Sequence, residues 1–317
     1  MKQLHFAIMG LLLLAGCGRN EKEPAPTSPK KTSKPVSLAE ARQGFQTKLR
    51  GRAPEKEAVP DPPPQVFQKV YYNSPAGKLA AYVTPNPKDG ARRPAIIWIT
   101  GGDCNSIGEV WEAAPVSNDQ TASAFRKAGL VMMFPSLRGG NDNPGVREGF
   151  LGEVEDVLAA EQFLRTLEFV NPERIYLGGH STGGTLVLLV AECSGRFRAV
   201  FSFGPVEDVA GYGSEYLPFQ TTKRELELRS PVRWLHSISS PVFVFEGARP
   251  PGNLDSLRAL QRASRNPMVH FLPVNGADHF SILAPTTALI ASKIPADEGP
   301  VSQLAFTTAE LRNPFSR

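Results

Sequence analysis

The segment RIYLGGHSTGGTLVLLVA, Arg174 to Ala191, changes character in the middle. Arg174 to Gly179 reads as a short buried strand, and Thr182 to Ala191, apolar nearly all round, as a buried helix. Between them Gly179-His180-Ser181-Thr182-Gly183 satisfies the pattern G-x-S-x-G. A strand that turns at once into a helix needs small neighbours, and a serine at the apex has its hydroxyl lifted above the sheet edge. Ser181 is therefore the candidate nucleophile; the competing reading is a packing turn with an idle serine.

Outward from this turn, strands and helices alternate. Val66 to Tyr72 and Leu79 to Thr84 read as two strands joined through residues 73–77, and AIIWIT (Ala95 to Thr100) as a third, stopped by Gly101-Gly102. A helix over Thr121–Ala128, the strand LVMMFPS and a helix over Glu153–Leu167 precede the turn. FRAVFSFG, PVFVFEG and MVHFLPV supply strands after it, with a helix over Asn253–Ala263 between the last two. The pattern predicts an α/β chain with a mostly parallel, eight-stranded sheet and helices on both faces. Its domain spans 65–317. The connection 207–240, which holds Tyr212, Tyr216, Leu217, Phe219 and Trp234, is a lid candidate, although these aromatics read equally well as core.

A serine hydroxyl needs a general base. His180 adjoins the serine and cannot turn its ring back onto it, His236 precedes the seventh strand, and His270 lies inside the eighth. His279, just after that strand, is left as the base. For the developing oxyanion the candidate donors are the Thr182 N–H, at a helix N-terminus, and an N–H from Gly102 or Asp103 after the third strand. Arg138 and His180 are candidate pocket-lining residues, with pairing to a carboxylate as the alternative for Arg138.

From about Val66 onward the chain resembles the α/β-hydrolase superfamily, in the branch holding dienelactone-hydrolase-like proteins and the catalytic domains of prolyl-oligopeptidase-like enzymes. RIYLGGHSTGG, PSLRGG after the fourth strand, EVEDVLAAEQFLRTL before the turn and GADHF near the end carry the resemblance. It implies a serine hydrolase whose acid follows the seventh strand, usually an aspartate three residues past a His-Gly pair. Here the run is Phe245-Glu246-Gly247-Ala248-Arg249-Pro250, with glutamate at the histidine position and proline at the aspartate position. Glu246 is the first choice for the acid, Asp208 the second and Asp255 the third.

The start of the chain reads as a lipoprotein signal over 1–16, a flexible tether over 17–36, and an amphipathic helix with its linker over 37–64. Leu14-Ala15-Gly16-Cys17 resembles a bacterial lipobox, which implies lipidation of Cys17 and, with Gly18 following, an outer-membrane anchor facing the periplasm. Residues 18–60 contain ten Lys and Arg against five Glu, so the net charge of +4 belongs to this region. Such a distribution suits an anionic surface and argues against nucleic acid as a partner. Cys104 and Cys193 are expected as free, mostly buried thiols. No spacing suits a metal and no phosphate or dinucleotide fingerprint is present, so neither a metal nor a cofactor is expected. The expected activity is carboxylic-ester hydrolysis on a small-molecule substrate, with cleavage of short peptides as the alternative and a catalytically silent binding module behind both.

Overall fold

A computed structural model describes residues 35–50 and 56–315; the expected signal segment, Cys17 and the tether up to residue 34 lie outside the described residues. Eight strands form one sheet: β1 (Gln68–Ser74), β2 (Gly77–Val83), β3 (Arg93–Ile99), β4 (Val131–Pro135), β5 (Val170–His180), β6 (Val200–Phe203), β7 (Val242–Gly247) and β8 (Val269–Val274). Their order is β1-β2-β4-β3-β5-β6-β7-β8. β1 pairs antiparallel with β2, and β2 with β4; every later pairing is parallel.

The described α-helices are α1 (Leu38–Arg42), α2 (Ala124–Lys127), α3 (Gly152–Arg165), α4 (Thr182–Cys193), α5 (Lys223–Glu227), α6 (Leu254–Ala263), α7 (Leu283–Lys293) and α8 (Thr308–Arg312). Side chains alternate across a strand, and β3 shows the consequence. Ile97 and Ile99 join the core under α3, α4 and α6, whereas Ile96 and Trp98 join the opposite core under α2, α7 and α8. Both faces are thus covered, and strands buried on both sides become the continuous apolar runs seen in the sequence. α4 is apolar all round because the sheet covers one side of it, and α3 and α1 cover the other.

Two helices are shorter than expected. The Asp119 side chain accepts hydrogen bonds from the N–H and hydroxyl of Thr121, and Ala122 takes a positive φ of 43°, so only Ala124–Lys127 is helical. α1 begins with a capping box in which Ser37 and Glu40 bond each other's backbone. It ends at Arg42, however, just before Gly44 with φ 69°. Further along the same segment, Leu49 bridges Phe219 in an antiparallel pair. Cys104 and Cys193 are free thiols, the first buried and the second partly so.

Candidate active site

Ser181 sits between β5 and α4 with φ 54° and ψ −114°, a strained conformation for a residue with a side chain. Close packing on both sides holds it there. A Cβ on Gly179 would lie 2.6 Å from the Gly183 carbonyl oxygen, and one on Gly183 would lie 2.3 Å from that of Ile99. The Ser181 N–H donates to the Phe203 carbonyl at 2.8 Å, tying the turn to the end of β6. Ser181 therefore occupies the sharp strand-to-helix turn that the sequence pattern predicts.

His279 follows β8, and its Nδ1 lies 2.9 Å from Glu246 Oε2 on β7. A carboxylate only accepts, so Nδ1 carries the proton and a neutral imidazole keeps its lone pair on Nε2. The other donors to Glu246 are the N–H of Gly247 at 2.6 Å and that of Asn253 at 3.0 Å. Glutamate reaches the imidazole from inside the strand, where aspartate would fall short by one methylene. The other acids are occupied elsewhere. Asp208 accepts from the Ala210 N–H, Asp255 is exposed beside Arg258, and Asp278 accepts from the N–H groups of Phe280 and Ser281. As acid candidates Asp208 and Asp255 are therefore set aside.

Two residues at this site carried no signal in the sequence. Gly204, after β6 with φ 58°, faces Glu246 and His279: a Cβ there would lie 2.4 Å from His279 Cε1 and 2.8 Å from Glu246 Oε2. Asn253 bonds Glu246 through its N–H and donates from Nδ2 to the Gly204 carbonyl at 2.8 Å, closing a ring around the carboxylate.

On the other side of Ser181, the Thr182 hydroxyl donates to the Gly102 carbonyl at 2.9 Å and ties the loop after β3 to the start of α4. The Gly101 N–H is taken by Gln120 Oε1. Among the described residues the N–H groups of Thr182, Gly102 and Asp103 have no acceptor, so they are the donors at hand for an oxyanion. A cavity of about 320 Å³ opens here, lined by Gly102, Asp103, Arg147, Phe150, Tyr212 and Leu217 among others. The 207–240 insertion contributes to both readings made of it. Tyr212, Tyr216 and Leu217 line the cavity, while Phe219 and Trp234 pack in the core.

Neither expected lining residue reaches this cavity. Arg138 is buried, with its guanidinium bonded to both oxygens of Asp156 and paired with Glu148, so the carboxylate-pairing reading holds for it. His180 is fully buried between Gln120 and the main chain of His279, and burial holds it neutral, with its pKa lowered to about 3. Burial also pushes the Cys104 thiol beside the cavity up to about 12, which leaves it a poor nucleophile. Among the described residues no group of His, Cys, Asp and Glu is arranged to hold a metal, and no helix is long and apolar enough to cross a membrane.

The fold is that of the α/β-hydrolases. Residues 116–249 match the Peptidase_S9 family model, described as the prolyl oligopeptidase family. The chain is 27% identical over 187 residues to the uncharacterized peptidase YtmA of Bacillus subtilis (strain 168), covering 55% of this chain and 67% of that protein. It is 29% identical over 140 residues to prolyl oligopeptidase A of Amanita bisporigera, covering 41% of this chain and 17% of that one. Among solved structures, a puromycin-hydrolyzing peptidase of Mycobacterium tuberculosis superposes with TM-score 0.56 at 22% identity, over 72% of this chain and 38% of that one. An acylaminoacyl peptidase of Pyrococcus horikoshii does so with TM-score 0.58 at 16% identity, over 77% and 44%. The chain thus spans less than half the length of these two structures and about a sixth of the Amanita protein.

Proposed function

We propose that this chain is a serine hydrolase that cleaves amide bonds of short peptides or acylated amino compounds by acyl transfer. The observation that carries the reading is the Glu246–His279 hydrogen bond at the carboxyl edge of the sheet, with Ser181 on the neighbouring sharp turn. Ser181 Oγ attacks the scissile carbonyl carbon and its proton passes to His279 Nε2. The carbonyl oxygen takes up negative charge, stabilised by the N–H of Thr182 and that of Gly102 or Asp103. The imidazolium then protonates the departing amine, and water attacks the acyl-enzyme by the same route in reverse. Among the described residues Ser181 Oγ forms no hydrogen bond. Its contact with the imidazole belongs to the substrate complex, where such bonds tighten.

Amide cleavage is preferred over the expected ester cleavage because the match to the prolyl oligopeptidase family and the peptidases among its relatives favour it. Aminoacyl and peptidyl fluorogenic amides compared with short acyl esters test the reading. Amide turnover abolished by Ser181→Ala is expected, and turnover of esters alone would move the protein to the esterases. Labelling of Ser181 by a fluorophosphonate separates either activity from a silent binding module. The proposed setting is the bacterial envelope, with the chain held by a lipid on Cys17.

A further inference from the structure

His180 occupies the position next to the nucleophile, yet both of its ring nitrogens point away from the reacting atoms. Nε2 lies 2.9 Å from the carbonyl oxygen of His279. A carbonyl oxygen only accepts, so Nε2 bears the proton and Nδ1 is left as an acceptor. Nδ1 lies 2.8 Å from Gln120 Nε2, an amide donor, and Gln120 Oε1 accepts the Gly101 N–H at 3.0 Å. The reverse placement of the amide would set an oxygen against a bare imidazole nitrogen and an NH₂ against an N–H, so the two ends fix its orientation. The second amide hydrogen goes to Asn118 Oδ1. One directed chain of donors therefore runs from Gly101, through Gln120 and His180, to the main chain of His279.

The chain joins three loops that belong to different strands. Gly101 begins the loop carrying two of the oxyanion donors, His180 ends the strand leading to Ser181, and His279 carries the base. Glycine is required at 101, where a Cβ would stand 2.8 Å from His180 Nδ1. The titratable neighbour of His180 is His279, with ring centroids 4.4 Å apart. Behind His279 stand Glu246 and, on its own loop, Asp278 paired with Arg249. Among the described residues no carboxylate bonds His180 to favour its charged form, and burial disfavours that form.

We propose that His180 and Gln120 are positioning residues of the reaction: Gln120 enforces the Nε2-protonated tautomer of His180, and His180 then anchors the backbone of the catalytic base. The proposal rests on the Ser181–His279 reading of the site. Displacement of a reacting group by about 1 Å costs on the order of 10²-fold in rate. His180→Phe keeps a ring but loses both bonds; it is expected to lower kcat by roughly 10–100-fold, with KM nearly unchanged. His180→Gln, which retains a donor for the His279 carbonyl, recovers most of that loss. Gln120→Met, one shell further out, lowers kcat in the same sense and serves where His180→Phe does not fold.

Nitrogen-15 NMR of the full chain reads the tautomer independently of activity. His180 is expected as the neutral Nε2–H form at pH values well below the ordinary histidine pKa of about 6.5. An Nδ1–H tautomer, titration near that ordinary value, wild-type kcat in folded Gln120→Met, or a His180→Gln no better than His180→Phe each overturns the proposal. Fluorophosphonate labelling separates the two levels. A wild type that is not labelled removes the reaction and the positioning role together, whereas a labelled wild type with unaffected variants removes the positioning role alone.

Discussion

Glu246 and His279 share a hydrogen bond of 2.9 Å, and the carboxylate that makes it has no exposed surface. The bond decides which imidazole nitrogen faces the nucleophile. Glu246 also accepts from the N–H groups of Gly247 and Asn253, so both of its oxygens are engaged.

Glu246→Gln therefore sets an amide NH₂ against at least one of these three donors. Turnover is expected to fall by up to about 10⁴-fold, as when the acid of an analogous triad is neutralised. Stability should fall by only about 1–3 kcal/mol, the cost of a buried donor left without an acceptor. Turnover numbers on titrated active sites, read beside a denaturation curve, check both. A folded Glu246→Gln enzyme with near-normal turnover would remove Glu246 from the acid role.

Gly204→Ala tests the space this pair needs. The added methyl would stand 2.4 Å from His279 Cε1, at a backbone φ of 58° that alanine adopts poorly. Either the imidazole moves or the end of β6 does. Turnover is expected to drop by at least about 10²-fold, and fluorophosphonate labelling of Ser181 should slow with it. Normal labelling kinetics would show that the site tolerates the methyl group.

What was legible in the sequence was whatever obeys a local rule. The turn at Ser181 follows from glycine spacing between two apolar runs, and His279 from its place after the last strand. Glu246 emerged less clearly because its position is set by side-chain length across two strands, which no short motif records. Gly204 and Asn253 were invisible because each matters through neighbours far off in the chain. His180 and Arg138 do not line the cavity for a related reason. Nearness to Ser181 in sequence suggests a lining role for His180, and a place after the fourth strand suggests one for Arg138 beside its alternative of carboxylate pairing, yet partners from distant segments turn both side chains inward.

The N-terminal expectation has its own test. If Cys17 is lipidated, metabolic labelling with palmitate should mark the protein, and Cys17→Ser should abolish the label and release the protein from the membrane fraction. Unlabelled, freely soluble wild type in its own host would contradict the anchor.

Glu192, near the end of α4, is buried with neither carboxyl oxygen bonded, and burial raises its pKa well above the usual glutamate range. The folded state then holds a proton that the unfolded chain loses above about pH 4.5. Stability from this group is complete below that value and declines as pH rises toward the raised folded pKa, with a slope of up to about 1.4 kcal/mol per pH unit. Glu192→Gln removes the slope. Denaturant midpoints should nearly coincide at pH 4 and favour the variant increasingly toward pH 8; a gap independent of pH would mean that Glu192 is ionised in the folded protein.

The cavity wall depends on a segment that precedes the sheet in the chain. Arg50 and Gln220 bond the carbonyls of Pro218 and Lys48 across the Leu49–Phe219 bridge, and the Glu225 carboxylate accepts from the Lys48 N–H and the Thr47 hydroxyl. Glu225 also pairs with Arg229 at 2.5 Å; the Arg229 guanidinium lies over the Phe219 ring and donates to the Glu148 carbonyl. Residues 47–50, the 207–240 insertion and the loop before α3 thus meet on one fully buried arginine. Glu225→Ala leaves that cation without its partner, and the expected loss of stability is about 3–5 kcal/mol. Ser181, Glu246 and His279 stand after β5, on β7 and after β8, outside this cluster, whereas Leu217, Pro218 and Gly149 of the cavity lie beside it. At temperatures where the variant stays folded, KM should therefore rise severalfold while kcat changes little. A kcat loss at constant KM would show that the insertion acts on the triad itself and not on the cavity wall.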